Sequence, residues 1–473
     1  VRKTVISRAV TTDVTTCLSD LLTPVSLYAR VRDHFSETLL LESADYRGSE
    51  NSFSYLCVNP LVTIRGELDE VVISGAGAIF EKRSLTEPKD LLAELQQFCG
   101  DFHFGSQPEG IVNGFFGFSS YEAVQCFEDI RFRERGARRY EVPILQYSIY
   151  EFVVAIDHFR NTMYLLHNRI EGVPSRDREA FSSLLMRGDP VTHPFTTEGP
   201  AEEVISDDEH RAIIDSCKHH IRRGDVFQIV PSRRFLQRYS GDDFQVYRAI
   251  RSINPSPFLF YFDYGSFRII GSSPEYQILV KDGKASIFPI AGTFPRNVTG
   301  ESDDQLAERL RADPKESAEH VMLVDLARND LSRHCTEVAV EVFKEVQFYS
   351  HVVHLVSKVS GTLKEGHSAL QVMADTFPAG TLSGAPKYRA MELIDKFEPH
   401  ERGVYGGAIG VIGARGECIH AIMIRTILSS EQTLHYQAGG GIVADSSPDA
   451  EVLEVRSKVG ALTRAISMAG EVR

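Results

Sequence analysis

Apolar residues recur along this chain in two rhythms. In the first 170 residues alternation dominates, as expected of half-buried strands. Glu37-Thr-Leu-Leu-Leu-Glu42-Ser43 and Phe53 to Val58 read as strands, and Val71 to Phe80 as a hairpin around Ser74-Gly75. Ile111 to Phe118 interleaves glycines with aromatics, the pattern of a strand lying close to another backbone. Tyr147 to Ile156 and Met163 to Leu166 form a second hairpin, while Leu91 to Phe98 has helical spacing. From Glu171 to Glu203 the pattern loosens into Gly, Pro, Thr, Ser and charge, and Gly188 to Pro200 reads as a linker. Ser206-Asp-Asp-Glu209 then makes a capping box for a helix that ends at Gly224. Beyond it strands (Val226–Val230, Phe258–Phe262, Arg268–Ile270, Ser286–Ile290) mix with helices (Glu316–Leu326, Ala385–Phe397) in no strict βαβ order. The pattern predicts an α+β protein built on large antiparallel sheets packed as a sandwich, with helices on the outer faces. Two domains are expected, residues 1–200 and 201–473.

Charge and composition narrow the partners. The net charge is −14 with no long basic run, which argues against nucleic acid and anionic membrane as partners. No stretch of roughly 18 apolar residues occurs, so no membrane span is expected. Val1-Arg2-Lys3-Thr4 does not lead into the apolar segment of a signal peptide. The seven cysteines are scattered and none forms Cys-x-x-Cys, which indicates neither a zinc site nor a disulfide framework and fits a reducing cytoplasm. The chain has no tryptophan.

Candidate chemistry concentrates near the C-terminus. His420 to Leu428 is an apolar strand interrupted by Arg425, whose planar fork suits a carboxylate. After a hairpin come Gly439-Gly440-Gly441, whose bare amides let an anion approach. Glu451 and Glu454 follow on a helix, three apart and so on one face, with Lys458 beside them. A second such pair, Glu316 and Glu319, opens an earlier helix. Four facing carboxylates would repel unless a cation lay between them, and oxygen-only ligands favour Mg²⁺. The alternative is two solvated helix faces. Small-residue turns at Ala291-Gly292-Thr293, Gly380-Thr381-Leu-Ser383-Gly384 and Tyr405-Gly406-Gly407 add donors at element ends. His354 sits in an apolar run, where a satisfied core histidine is the usual occupant.

Taken in order, Ser272-Ser-Pro-Glu275, Pro289-Ile-Ala-Gly-Thr293, Glu316-Ser-Ala-Glu-His320, Asp325-Leu-Ala-Arg-Asn-Asp330, Gly380 to Lys387, Tyr405-Gly-Gly407, Arg425, Ala438 to Gly441 and Glu451-x-x-Glu454 resemble the chorismate-utilising enzymes. The resemblance covers about residues 205–465. Within that family it is nearest to the large, aminating component of anthranilate synthases. Ala291 stands where aminodeoxychorismate synthases carry a nucleophilic lysine. Gln228 stands where isochorismate and salicylate synthases carry a lysine base.

The resemblance implies the following roles. Mg²⁺ is held by Glu319 and Glu454, with Glu316 and Glu451 partly through water. Arg425, Tyr405, Lys458 and Gly439 to Gly441 take the enolpyruvyl carboxylate of chorismate, and Gly292, Thr293, Thr381 and Gly384 line the site. Glu275 is the general acid, His354 assists loss of the C2 proton, and ammonia is the nucleophile. No Gly-x-Cys-x-Gly elbow occurs, so a separate glutaminase subunit is implied, in a heterotetramer of two large and two small subunits. Glu42 and Ser43, with Asn254-Pro255-Ser256-Pro257-Phe258, resemble the two segments that bind feedback L-tryptophan. The absence of tryptophan suits an enzyme made when tryptophan is scarce. The remaining readings are an aminodeoxychorismate, isochorismate or salicylate synthase, or a non-catalytic subunit that binds tryptophan or chorismate.

Overall fold

The computed structural model describes residues 8–43, 52–75, 78–135, 141–296, 301–348 and 352–471. Val1 to Thr4 and the side chain of Thr293 lie outside what it describes.

Strand alternation separates the cores. In Thr38–Glu42, Leu39 and Leu41 enter one core and Leu40 another. Its antiparallel partner Phe258–Asp263 does the same, with Phe258, Phe260 and Phe262 on the first side and Leu259 and Tyr261 on the second. The first core is walled mainly by strands and takes Phe116, Phe118, Tyr150, Val153, Ile409 and Val411. The second lies under the helices Pro24–Val31, Arg178–Arg187, Phe244–Ile253 and Pro448–Ala469. A third lies under Asp90–Gly100, Pro314–Ser332 and Ala369–Thr376. Large antiparallel sheets with helices outside are therefore the architecture, as the alternation predicts. Each fully buried Leu or Phe contributes about 1.5–3 kcal/mol.

The two halves of the chain share these sheets. Thr38–Glu42 lies between Phe53–Gly66 and Phe258–Asp263, and Gly114–Ser119 pairs with Ala408–Gly413. The loosely patterned stretch holds the helix Arg178–Arg187, capped by Asp177, and the strand Phe195–Glu203, which pairs with Ser232–Gly241. That strand is exposed along nearly its whole length, so its sequence lacks the alternation that marks a half-buried one. The Ser206 capping box forms, and its helix spans Asp207–Arg222.

Three elements position the site. The helix Pro314–Ser332 starts at Asp313, whose carboxylate caps the amides of Lys315 and Glu316. The strand Val352–Leu363 pairs with Ile290–Pro295, with an irregularity between Ala291 and Thr293 where Gly292 adopts φ +70°. The apolar run around Arg425 is two strands, Cys418–Ile422 and Thr426–Ser430, rather than one. Arg425 turns between them at φ +49°, a left-handed conformation that costs a non-glycine residue about 1–3 kcal/mol. Among the described residues no helix is long and apolar enough to cross a membrane.

Candidate active site

The two glutamate pairs meet. A Cβ on Gly441 would lie 2.5 Å from Gln228 Nε2 and 3.4 Å from Glu319 Oε1, and one on Gly440 would lie 3.0 Å from Glu451 Oε2. Consecutive glycines thus bring one pair to each side of a single stretch of backbone. A Cβ on Gly292 would lie 3.3 Å from Glu316 Oε2. Burial pushes the Glu316 carboxyl above its ordinary pKa, and the charges of Glu319 and Glu454 raise it further. Burial likewise raises Glu451, with Glu454 adding to it. Gln228 donates from Nε2 to Glu319 Oε1 at 2.6 Å.

The four carboxylates share this neighbourhood, but among the described residues no three acidic, His or Cys side chains converge closely enough to hold a metal ion. The donor chemistry still suits a hard cation. All four groups offer only oxygen, and Glu451 Oε2 is buried without a hydrogen-bond partner among the described residues. Lys458 ties to Glu454 Oε1 at 2.8 Å and donates to the Gly439 carbonyl at 3.0 Å.

Glu275 and His354 both feel the charge of Arg425. Glu275 is buried, and its pKa is raised to about 8 by that burial, against the opposing effects of a Thr381 hydrogen bond and the Arg425 charge. Thr381 donates its hydroxyl to Glu275 Oε1 at 3.2 Å. Burial lowers His354 to about 4, and Arg425 lowers it further, so the ring is neutral at pH 7. Its Nδ1 donates to the Gly292 carbonyl at 3.2 Å, which leaves Nε2 as an acceptor. A buried carboxylic acid and a neutral imidazole therefore share the field of one cation.

The remaining residues close the wall. The Tyr405 hydroxyl accepts from the Gly439 amide, and burial pushes its pKa to about 12. Gly384 has φ +131°, and a Cβ there would meet the Gln228 carbonyl oxygen at 2.2 Å. Only glycine lets its segment pair with Gln228–Ile229.

One contributor escaped the sequence reading. Arg402 is buried and donates to the carbonyls of Leu382 and Val230, each at 2.6 Å, and to Glu398. Its guanidinium carbon also lies 5.6 Å from the centre of the Tyr405 ring. It thereby joins the segments that carry Gln228, Thr381 and Tyr405. The four-residue spacing from Glu398 was its only signal, and Pro399 hides that spacing by ending the preceding helix. Asn254, which the sequence places in a tryptophan-binding segment, also reaches the site, since its Oδ1 accepts from Arg425 Nη1 at 3.3 Å.

The segments matched to tryptophan binding are neighbours. Glu42 faces Leu259 across paired strands and accepts from Arg251 at 2.9 Å and from Tyr247. The Ser43 amide lies 3.4 Å from Ser54 Oγ. Asn254 and Ser256 both bond Ser272, at 2.6 and 2.9 Å. Pro255, Pro257 and Phe258 complete that turn, with the Phe258 ring edge-on to Tyr276 at 4.5 Å.

The chorismate binding enzyme family matches residues 39–464. This chain belongs to that family. Anthranilate synthase component 1 of Aquifex aeolicus is 35% identical over 479 residues, covering 97% of this chain and 94% of that protein. The protein of the same name from Thermus thermophilus is 37% identical over 466 residues, covering 96% and 97%. Among solved structures, anthranilate synthase component I from Streptococcus pneumoniae superposes with a TM-score of 0.73 at 31% identity, covering 94% of this chain and 99% of that one. The menaquinone-specific isochorismate synthase of Escherichia coli gives a TM-score of 0.75 at 17% identity, a likeness of fold alone. The glycine-linked glutamate pairs lie within the residues that match the family.

Proposed function

We propose that the chain is the large component of an anthranilate synthase. It converts chorismate and ammonia to anthranilate, pyruvate and water, the first step of tryptophan biosynthesis. The observation that carries this reading is Glu275, a buried carboxyl that accepts from the Thr381 hydroxyl and whose pKa burial raises to about 8 against the opposing charge of Arg425. Such an acid is poised to protonate a departing hydroxyl.

Arg425, with Tyr405, Lys458 and the glycine loop, orients the enolpyruvyl carboxylate. Gly292, Thr293, Thr381 and Gly384 line the ring. Glu275 gives its proton to the 4-hydroxyl, which leaves as water while ammonia adds at C2. His354, a neutral imidazole whose Nδ1 donates to the Gly292 carbonyl, helps remove the C2 proton as pyruvate departs and the ring becomes aromatic. Gln228 is a neutral amide already donating to Glu319, so it activates no water and ammonia is the nucleophile. Ala291 offers no amine for a covalent route.

Glu319 and Glu454, with Glu316 and Glu451, would hold Mg²⁺, which when bound neutralises the ring carboxylate. Ammonia comes from a separate glutaminase subunit, in a heterotetramer of two large and two small chains working in the cytoplasm. L-Tryptophan inhibits by binding at Glu42, Ser43 and Asn254 to Phe258. The test is incubation with chorismate, Mg²⁺ and ammonium, following anthranilate fluorescence and pyruvate. A non-aromatic amine without pyruvate, or turnover that ignores ammonium, would overturn the proposal.

A further inference from the structure

Against Glu275 lies a small cavity of about 30 Å³. That is room for roughly two water molecules. Glu275, Thr381, Gln277 and Asp330 all line it. Leu323, Leu326 and Ala327 form one wall, on the face of the helix Pro314–Ser332 that continues from Glu316 and Glu319.

The cavity has a polar lining that packing alone does not explain. Gln277 is 2% exposed, and its Oε1 meets no donor among the described residues. Its Nε2 is held by the Thr376 hydroxyl at 2.8 Å, which fixes the orientation of the amide. Asp330 accepts from Lys387 Nζ at 2.7 Å, and Lys387 also donates to the Thr376 carbonyl at 3.2 Å. A buried acceptor without a donor costs about 1–3 kcal/mol unless a water supplies one.

The reaction supplies the reason for such a site, and here the inference rests on the proposed function. Glu275 loses one proton per turnover to the departing hydroxyl. While the ring fills the cleft, that side of Glu275 is closed to solvent. The carboxylate must regain a proton before the next cycle, and the cavity adjoins it. We infer that the cavity binds water, ordered by Gln277 Oε1 and Asp330, and that this water returns the proton to Glu275. Gln277, Asp330 and Lys387 are positioning residues in this arrangement. The proton enters from solvent past the Asp330–Lys387 ion pair, passes along the water, and restores the O–H of Glu275 with no other bond changed.

Two measurements test it. A high-resolution crystal structure of the full chain should show ordered solvent bonded to Gln277 Oε1, and a dry cavity would overturn the inference. Ala327→Leu fills the space with a good helix former. With chorismate, Mg²⁺ and ammonium its kcat should fall by about tenfold or more while the KM for chorismate stays within about twofold. The solvent isotope effect on kcat should rise, because proton return becomes limiting. An unchanged kcat would overturn the inference, as would kcat and KM falling together with an unchanged isotope effect. Gln277→Leu carries the same readout should Ala327→Leu not fold. A wild-type chain that makes no anthranilate sinks the functional reading, while the crystallographic arm still decides whether the cavity holds water.

Discussion

Glu275→Gln changes one atom and should move activity and stability in opposite directions. The ordinary pKa of a glutamate is near 4.5, and in the folded chain Glu275 is raised to about 8. The native state therefore keeps a proton that the unfolded chain releases. Below pH 4.5 both states are protonated and nothing is lost. From there upward stability falls by about 1.4 kcal/mol per pH unit, levelling off above pH 8. At pH 7 the gap of 2.5 units amounts to about 3 kcal/mol. Glutamine fits the same space, stays neutral, and its carbonyl still accepts from Thr381. The variant should match the wild type near pH 4 and exceed it by up to about 3 kcal/mol at pH 7. Its kcat should drop by about 10²–10⁴-fold, the usual worth of a general acid. In the wild type, kcat should decline as pH rises through about 8, where Glu275 loses its proton. Urea denaturation across that pH range, paired with steady-state anthranilate formation, reads both effects. Equal stabilities at pH 7 would show that Glu275 is ionised in the fold. A kcat near wild type would remove it from the chemistry.

Other substitutions probe the rest of the site. Glu319→Gln or Glu454→Gln should cut Mg²⁺-dependent turnover by at least about two orders of magnitude with circular dichroism unchanged, and wild-type rates in either would refute the metal assignment. Ser43→Phe should raise the tryptophan concentration needed for half-inhibition, and an unmoved curve would discard the regulatory site. Gly384→Ala forces a Cβ to within 2.2 Å of the Gln228 carbonyl at a left-handed φ, so it should lose at least about 1–3 kcal/mol of stability, measured by thermal unfolding. Arg402→Ala leaves Glu398 buried without its partner and should cost about 3–5 kcal/mol, whereas an ordinary surface ion pair would cost under about 1 kcal/mol.

Much of this was legible in the text of the chain because it depends on short-range rules. Leu39-Leu40-Leu41 and Phe258 to Phe262 show their strand character because successive side chains must face opposite ways. The Ser206 box and the three-residue spacing of Glu316 and Glu319 are helix rules satisfied within one turn. Phe195–Glu203 was missed because a strand exposed nearly throughout has no apolar period to read. Arg425 was seen as an interruption, but that it divides two strands with different partners follows from pairings with strands far back in the chain, Phe267–Ser273 and Tyr276–Lys281.

The sequence by itself determined which residue types were available: four carboxylates in two pairs, a glycine run, one arginine in an apolar setting, and a glutamine and an alanine where an amine would change the reaction. Only the tertiary structure decided what those groups are. Gly440 and Gly441 bring the two pairs within reach of one backbone segment, although the pairs lie more than a hundred residues apart. Burial keeps Glu275 protonated against the charge of Arg425 and, together with that charge, keeps His354 neutral, and no local pattern encodes burial. Identity is written residue by residue, but a side chain's charge state depends on what surrounds it, and the distant chain supplies the surroundings.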